Sequence, residues 1–291
     1  MHQLIPTSRL LLTIYFFFTI YTIPTNALAE LKGYRHLQAE LISKHSSASR
    51  SENINLAWRL VPEKDWYIYW RNPGDAGAAP KLNWKINNQP ISPTISWPTP
   101  EIIPYGPLTN YGYSNEILLS TSIEIPEHAS AKISITLDAE WLVCKEECIP
   151  GNDRFLLELP LTTKPRTDSS LNSKHTTLFE RHKKRIPTIA TDLKPILSSS
   201  KSEWKLLFNL TLLKDQSLRF IPYSSGFIKY AAKQVVTKSS DTTLLSITKA
   251  SNLNKELKTV RGLLLVVEEE SEKIIPWHDG SASKEISFAL Q

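Results

Sequence analysis

Two cysteines stand in this 291-residue chain, and three residues separate them: Trp141-Leu142-Val143-Cys144-Lys145-Glu146-Glu147-Cys148-Ile149-Pro150. No other feature limits the fold as tightly. Fully extended, residues four apart lie roughly 13 Å from each other. A disulfide needs Cα atoms about 4.4–6.8 Å apart, so the chain must turn back, or coil once, if the two are to bond. The flanks favour reversal. Upstream, Ile133, Ile135, Leu137, Ala139, Trp141 and Val143 alternate with mostly polar residues, a strand signature. Downstream, Pro150-Gly151-Asn152-Asp153 is turn chemistry, and Phe155, Leu157 and Leu159 alternate again. The expectation is two strands with the cysteines in their connection or at its edge.

Whether such a pair is a staple or a reagent is a question of energy. Closing a loop of about five residues removes about 2 kcal/mol of unfolded-state entropy, against nearly 5 for about a hundred residues. A staple built for stability would span more chain, which favours a redox role; a local hairpin disulfide in an exported β protein is the other reading. The nearby charges do not decide. Lys145 would lower a neighbouring thiol pKa, and Glu146 and Glu147 would raise it.

The compartment follows from the N-terminus. Arg9 precedes an uncharged apolar run from Leu10 to Ile23, and Ala27-Leu28-Ala29 fits a small-x-small cleavage pattern. Residues 1–29 are therefore expected to be a secretory signal, cut before Glu30. The run is shorter than the ~20 residues a spanning helix needs. About 262 residues remain (291 − 29), with net charge +4 (+5 less Arg9). So mild a balance does not imply nucleic acid. An exported chain meets oxidising surroundings, where a cysteine pair can close.

Along the rest of the chain, short alternating runs recur between turn clusters. Leu37, Ala39 and Leu41 alternate, as do Ile54, Leu56, Trp58 and Leu60, and Ile117, Leu119, Thr121, Ile123 and Ile125. Trp66-Tyr67-Ile68-Tyr69-Trp70 is dense in aromatics. Asn72-Pro73-Gly74-Asp75 suits a type II turn, with glycine at the position that needs φ > 0. Leu108 to Tyr113 reads as a loop that either covers the sandwich end or lies over the cysteines and gates them. No long helical period is visible, so the class is all-β, a β-sandwich. Residues 30–163 form the first domain. Residues 164–202, rich in Ser, Thr, Lys and Pro, read as a linker with a short helix over Thr176 to Ile186. Its basic run, Arg181 to Arg185, reads as a solvated face. Alternation returns from Glu203, and 203–291 is expected to be a second, smaller β-sandwich.

Three stretches carry a resemblance: Trp70-Arg71-Asn72-Pro73-Gly74-Asp75-Ala76-Gly77, Gly106-Pro107-Leu108 through Tyr111-Gly112-Tyr113, and the cysteine segment with its flanks. Together they resemble the periplasmic N-terminal domain of the DsbD family of protein-disulfide reductases, above all its suppressor-of-copper-sensitivity (ScsB) branch. The resemblance implies an immunoglobulin-like sandwich whose Cys144 and Cys148 cycle between dithiol and disulfide. It implies that Cys148 forms the mixed disulfide with partners and Cys144 resolves it, under a cap loop at Asn110, Tyr111 and Gly112. It also implies partners: a membrane-embedded electron transporter (DsbD- or CcdA-like) and periplasmic thioredoxin-like proteins. Cytochrome c biogenesis and copper tolerance are the settings it suggests. The best-known members place five residues between the cysteines, where this chain has three, and phenylalanine where it has Asn110. No Cys-x-x-Cys occurs, so a stand-alone carrier would depend on a separate membrane protein for electrons.

Competing chemistries find less support. A structural zinc needs four ligands, and the seven histidines lack paired spacing. Copper(I) prefers thiolate and thioether, yet Met1 is the only methionine. Cysteine-protease motifs and phosphate-cradling glycine loops are absent, and no cofactor is implied. The rival to thiol–disulfide exchange is a non-catalytic periplasmic adaptor held by a structural disulfide.

Overall fold

The computed structural model describes residues 31–129, 132–162, 171–253, 258–277 and 279–290. The expected signal at 1–29 lies outside them. Period-two burial dominates the described chain, and four sheets result, two from each half.

The first half builds a four-stranded antiparallel sheet in the order Lys32–Tyr34, Leu37–Ser43, Asn53–Pro62, Ile117–Glu124. It faces an eight-stranded sheet centred on the long hairpin of Lys132–Cys144 and Cys148–Thr162. Beside that hairpin run Tyr67–Gly74, Leu108–Tyr113 and Glu101–Tyr105, with Lys81–Ile86 pairing the middle of Lys132–Cys144. Trp58 of the small sheet meets Trp141 and Phe155 of the large one, with ring centroids 5.6 and 5.9 Å apart. Full burial of Leu41, Leu56, Ile135 and Leu137 around them is the main force joining the sheets.

The second half repeats the plan with smaller sheets. One contains Thr188–Ile189, Lys284–Ala289, Thr259–Glu268 and Gln216–Pro222, with Ile274–Ile275 beside it. The other runs Ile196–Ser199, Glu203–Phe208, Thr243–Thr248, Val235–Lys238. Trp204 stacks on Phe227 at 4.9 Å, and Phe220 and Phe288 complete the aromatic centre. The stretch expected to be a linker up to 202 therefore contributes two strands, Thr188–Ile189 and Ile196–Ser199. Two and four residues are too few for alternation to show, and both strands sit largely exposed at sheet edges, where one strand pairing suffices.

The helix in this stretch is Ser173–Lys183, shifted towards the N-terminus from its expected place. Asn172 caps it, its Oδ1 accepting from the Lys174 N–H at 3.1 Å. Pro187 stops any continuation, since the residue before proline avoids helical backbone. Leu178 and Phe179 pack on Ile42, Ala57 and Leu118, the outward-facing residues of the four-stranded sheet. The basic run is not simply solvated. His182 is buried with Nε2 3.1 Å from the Glu116 carbonyl oxygen, Arg181 pairs with the Glu116 carboxylate, and Arg185 lies over the Tyr113 ring. It fastens the helix to the first sandwich.

Candidate redox site

The two cysteines close the long hairpin. Register runs unbroken from Lys132 opposite Pro160 to Cys144 opposite Cys148, and a disulfide joins the last pair with Cα atoms 4.1 Å apart. Lys145-Glu146-Glu147 forms the tip, with the Lys145 N–H donating to the Glu147 carbonyl at 3.0 Å. Strand parity then decides where the sulfurs point. Ile133 through Val143 take the odd positions and fill the core, so Cys144 falls on the opposite, outer face. There it lies across from Tyr67, whose neighbours Ile68 and Trp70 point inward for the same reason. Tyr67, Tyr69 and Cys144, with Ile103 and Leu142 against them, make a small apolar cluster separate from the main core.

The two sulfurs live in different surroundings. Cys144 is 1% exposed, whereas Cys148 is open to solvent. The Tyr69 hydroxyl approaches Cys148 Sγ at 3.6 Å and the Tyr67 hydroxyl at 3.4 Å. Asn110 Nδ2 donates to the Tyr67 oxygen at 3.1 Å, and Asn110 Oδ1 accepts from the Ala76 N–H at 3.1 Å. Tyr67 accepts from Asn110, either phenol can donate to the other, and at the Tyr69–Cys148 contact the hydroxyl is the donor because a disulfide sulfur carries no proton. Burial first, and the Tyr67 contact second, push the Tyr69 phenol well above its ordinary range. It stays protonated and remains a donor.

Two glycines make this packing possible. Gly112 lies across from Tyr69 in the ladder, and a Cβ there would meet the Ile68 carbonyl oxygen at 2.4 Å. Gly77 has φ +84°, and a Cβ there would meet the end of the Tyr69 ring at 2.0 Å. The backbone at Gly77 thus presses directly on the phenol that faces Cys148.

Of the residues anticipated from sequence, the structure brings Cys144 and Cys148 together. Asn110, Tyr111 and Gly112 are not a loop lying over the sulfurs. They belong to the buried strand Leu108–Tyr113, paired on both sides. Asn110 braces the tyrosines from beneath, and Tyr111 points the other way, into the core against Trp70. The same hairpin touches the cysteine turn through Tyr105, whose hydroxyl donates to the Glu146 carbonyl at 2.9 Å. Tyr67, Tyr69 and Tyr105 went unassigned at the sequence level. Alternation of Ile68 and Trp70 shows that Tyr67 and Tyr69 share a face, but only the pairing of Tyr67 with Cys144 says that this face holds the sulfurs. At the rim, Lys145 pairs with Asp65 at 3.4 Å and Arg35 with Glu147 at 3.5 Å. These exposed pairs leave the tip weakly held.

Fold and site together define a β-sandwich domain with a hairpin disulfide between an exposed and a buried cysteine. The comparisons agree with that class. Residues 35–160 match the family described as "Thiol:disulfide interchange protein DsbD, N-terminal", and this part of the chain is DsbD-like, with an immunoglobulin-like all-β fold. Among solved structures, the N-terminal periplasmic domain of ScsB from Proteus mirabilis aligns over 88% of this chain and 94% of its own, at 15% identity and a TM-score of 0.61. That likeness spans both halves of the molecule and concerns the fold. A marsupial T cell receptor (11% identity, 90% of this chain and 99% of its own, TM-score 0.20) is too remote to bear on it. So is the sporulation control protein Spo0M from Bacillus subtilis (9% identity, 88% and 91%, TM-score 0.23). No curated protein matched the chain.

Proposed function

We propose that this protein is a periplasmic thiol:disulfide exchange protein. In this reading it passes reducing equivalents from a membrane-embedded electron transporter to thioredoxin-like clients through Cys144 and Cys148. The observation that carries the reading is the asymmetry of the disulfide: an exposed Cys148 against a buried Cys144. A partner thiolate attacks Cys148 Sγ, a new S–S bond forms there, and the Cys144–Cys148 bond breaks with Cys144 leaving as thiolate. The partner's second thiolate then attacks the partner sulfur of the mixed disulfide, closing the partner's own disulfide and expelling Cys148 as thiolate. In the opposite half-reaction Cys144 attacks Cys148 Sγ of the client mixed disulfide and expels the client thiolate. When the reduced pair meets an oxidised client, the Cys148 thiolate attacks it. The Tyr69 hydroxyl, 3.6 Å away, favours that thiolate by donating to it.

The hairpin supports the same view. Its register is maintained by the paired strands up to Cys144 itself, so the sulfurs remain opposite each other after reduction and can close again. Residues 30–163 are the redox domain in this proposal, exported after removal of residues 1–29. The second sandwich, with its first strand at Thr188, is an accessory domain. Periplasmic placement rests on the signal-like N-terminus and on the fold shared with a periplasmic domain. No helix among the described residues is long and apolar enough to cross a membrane.

Single cysteine variants test the proposal. Cys148→Ala abolishes transfer to a thioredoxin-like client, and Cys144→Ala accumulates a mixed disulfide visible on a non-reducing gel. If both single variants passed electrons at the wild-type rate, the exchange reading would be wrong. A midpoint potential below about −300 mV would support the structural-disulfide adaptor instead.

A further inference from the structure

The two sandwiches meet directly behind the redox site. Asn72, 1% exposed, lies on the strand that carries Tyr69, three residues further on. Its Nδ2 donates to the Pro222 carbonyl of the second sandwich at 2.7 Å, and its Oδ1 accepts from the Tyr230 hydroxyl at 3.3 Å. The same Oδ1 accepts from the Gly74 N–H at 3.2 Å, which fixes the bend at the end of that strand. The Tyr230 ring also sits edge-on against Tyr111 at 5.6 Å, and Tyr111 follows Asn110 directly. Trp70 meets Tyr223 at 5.6 Å beside them.

Tyr230 therefore touches both strands that support the sulfur. One carries Tyr69, which faces Cys148, and the other carries Asn110, which orients Tyr67. The Asn72 contacts with Pro222 and Tyr230 and the Tyr111–Tyr230 ring contact are buried, and packed strands transmit displacement because they have little room to absorb it. We propose that the second sandwich sets how readily the Cys144–Cys148 bond is attacked, with Tyr230 as the positioning residue. Its biological meaning rests on the exchange reading above, but the coupling itself is a property of the fold. The second sandwich holds no cysteine of its own, so its contribution to the chemistry runs through these contacts.

The experiment uses the full mature chain with Tyr230→Leu and Tyr230→Phe. The probe is the phosphine TCEP, which reduces accessible disulfides. Rates are measured far below the melting temperature, alongside the midpoint potential in glutathione buffers. Tyr230→Leu loses both the ring contact with Tyr111 and the bond to Asn72, and its disulfide is reduced roughly three to ten times faster, as expected for a loosened local structure. Tyr230→Phe keeps the ring and loses only the hydroxyl, and its rate rises about twofold. The potential shifts in the same order. Lower melting temperatures with unchanged rates and potentials in both variants would overturn the proposal, since a purely structural role predicts that pattern. If Tyr230→Leu does not fold, the Tyr230→Phe rate and potential decide alone. Failure of the exchange reading is seen separately, in the wild-type potential, and leaves the ratio of variant to wild-type rates readable.

Discussion

The two sandwiches share a plan and differ in what their outer surfaces hold. Each packs two sheets around large aromatic rings: Trp58, Trp141 and Phe155 in the first, Trp204, Phe220, Phe227 and Phe288 in the second. On the outer side of the second, Ile196, Leu207 and Leu244 share a row across neighbouring strands, partly or fully open to solvent. The corresponding side of the first, at one end of its large sheet, carries a disulfide, two phenols packed edge-on and a buried asparagine. Chemistry here is therefore a property of a few outward positions near one hairpin tip. The architecture supplies rigidity and parity, and the same architecture without those side chains supplies no reagent.

Three experiments break or sharpen this contrast. The largest effect comes from the cores. Trp58→Ala and Phe220→Ala each remove a fully buried ring, and each should cost about 3–5 kcal/mol in chemical denaturation. Because buried apolar residues run continuously from one sandwich to the other, each variant should lower a single shared transition. Two separate transitions, with only one displaced by each substitution, would show that the halves are energetically independent.

A smaller effect is expected from Cys144→Ser with Cys148→Ser. Losing so short a cross-link should cost about 2 kcal/mol or less, because the closed loop is short and the strands already hold the hairpin. A loss of the whole fold would make the disulfide a staple and erase the functional difference between the two halves.

The smallest effect concerns acid. Asp138 in the first sandwich accepts from Arg154 and Lys85, at 2.5 and 3.0 Å, and these bonds lower its pKa to about 2. Asp279 in the second is held still further below the carboxylate range by Lys284 and Ser281. A depressed carboxyl binds fewer protons folded than unfolded. Its stabilisation is present above the ordinary value of 3.8 and is lost as pH falls through about 2. Asp138→Asn should flatten that part of the acid limb and leave the Asp279 contribution in place. Asp138 is partly exposed and Asp279 exposed, so solvent screening keeps the change slight. An acid titration followed by tryptophan fluorescence measures it, and an unchanged limb would remove Asp138 from the account.

Much of this was legible in the residues. Alternation along 133–143 and 155–159 announced the hairpin, and Pro150-Gly151 did not interrupt it, since the second strand begins at Cys148 and runs through both. The strand Leu108–Tyr113 was not legible. Its Asn-Tyr-Gly centre looks like a loop, yet Gly112 is required there to clear the Ile68 carbonyl and the Tyr67 ring. The edge strands Thr188–Ile189 and Ile196–Ser199 were hidden by their shortness. Tyr67 and Tyr69 were visible as aromatics but not as parts of a site.

The sequence by itself determined the all-β class, the pairing of the only two cysteines and the turn that brings them together, because alternation and short spacing are local properties. Only the tertiary structure decided which cysteine faces solvent, which phenols stand beside it, and that Tyr230 of the other sandwich braces them from behind. Those outcomes depend on strand register and on sheet-to-sheet packing, which join residues as distant as Asn72 and Tyr230, 158 positions apart, and leave no mark in any single stretch of chain.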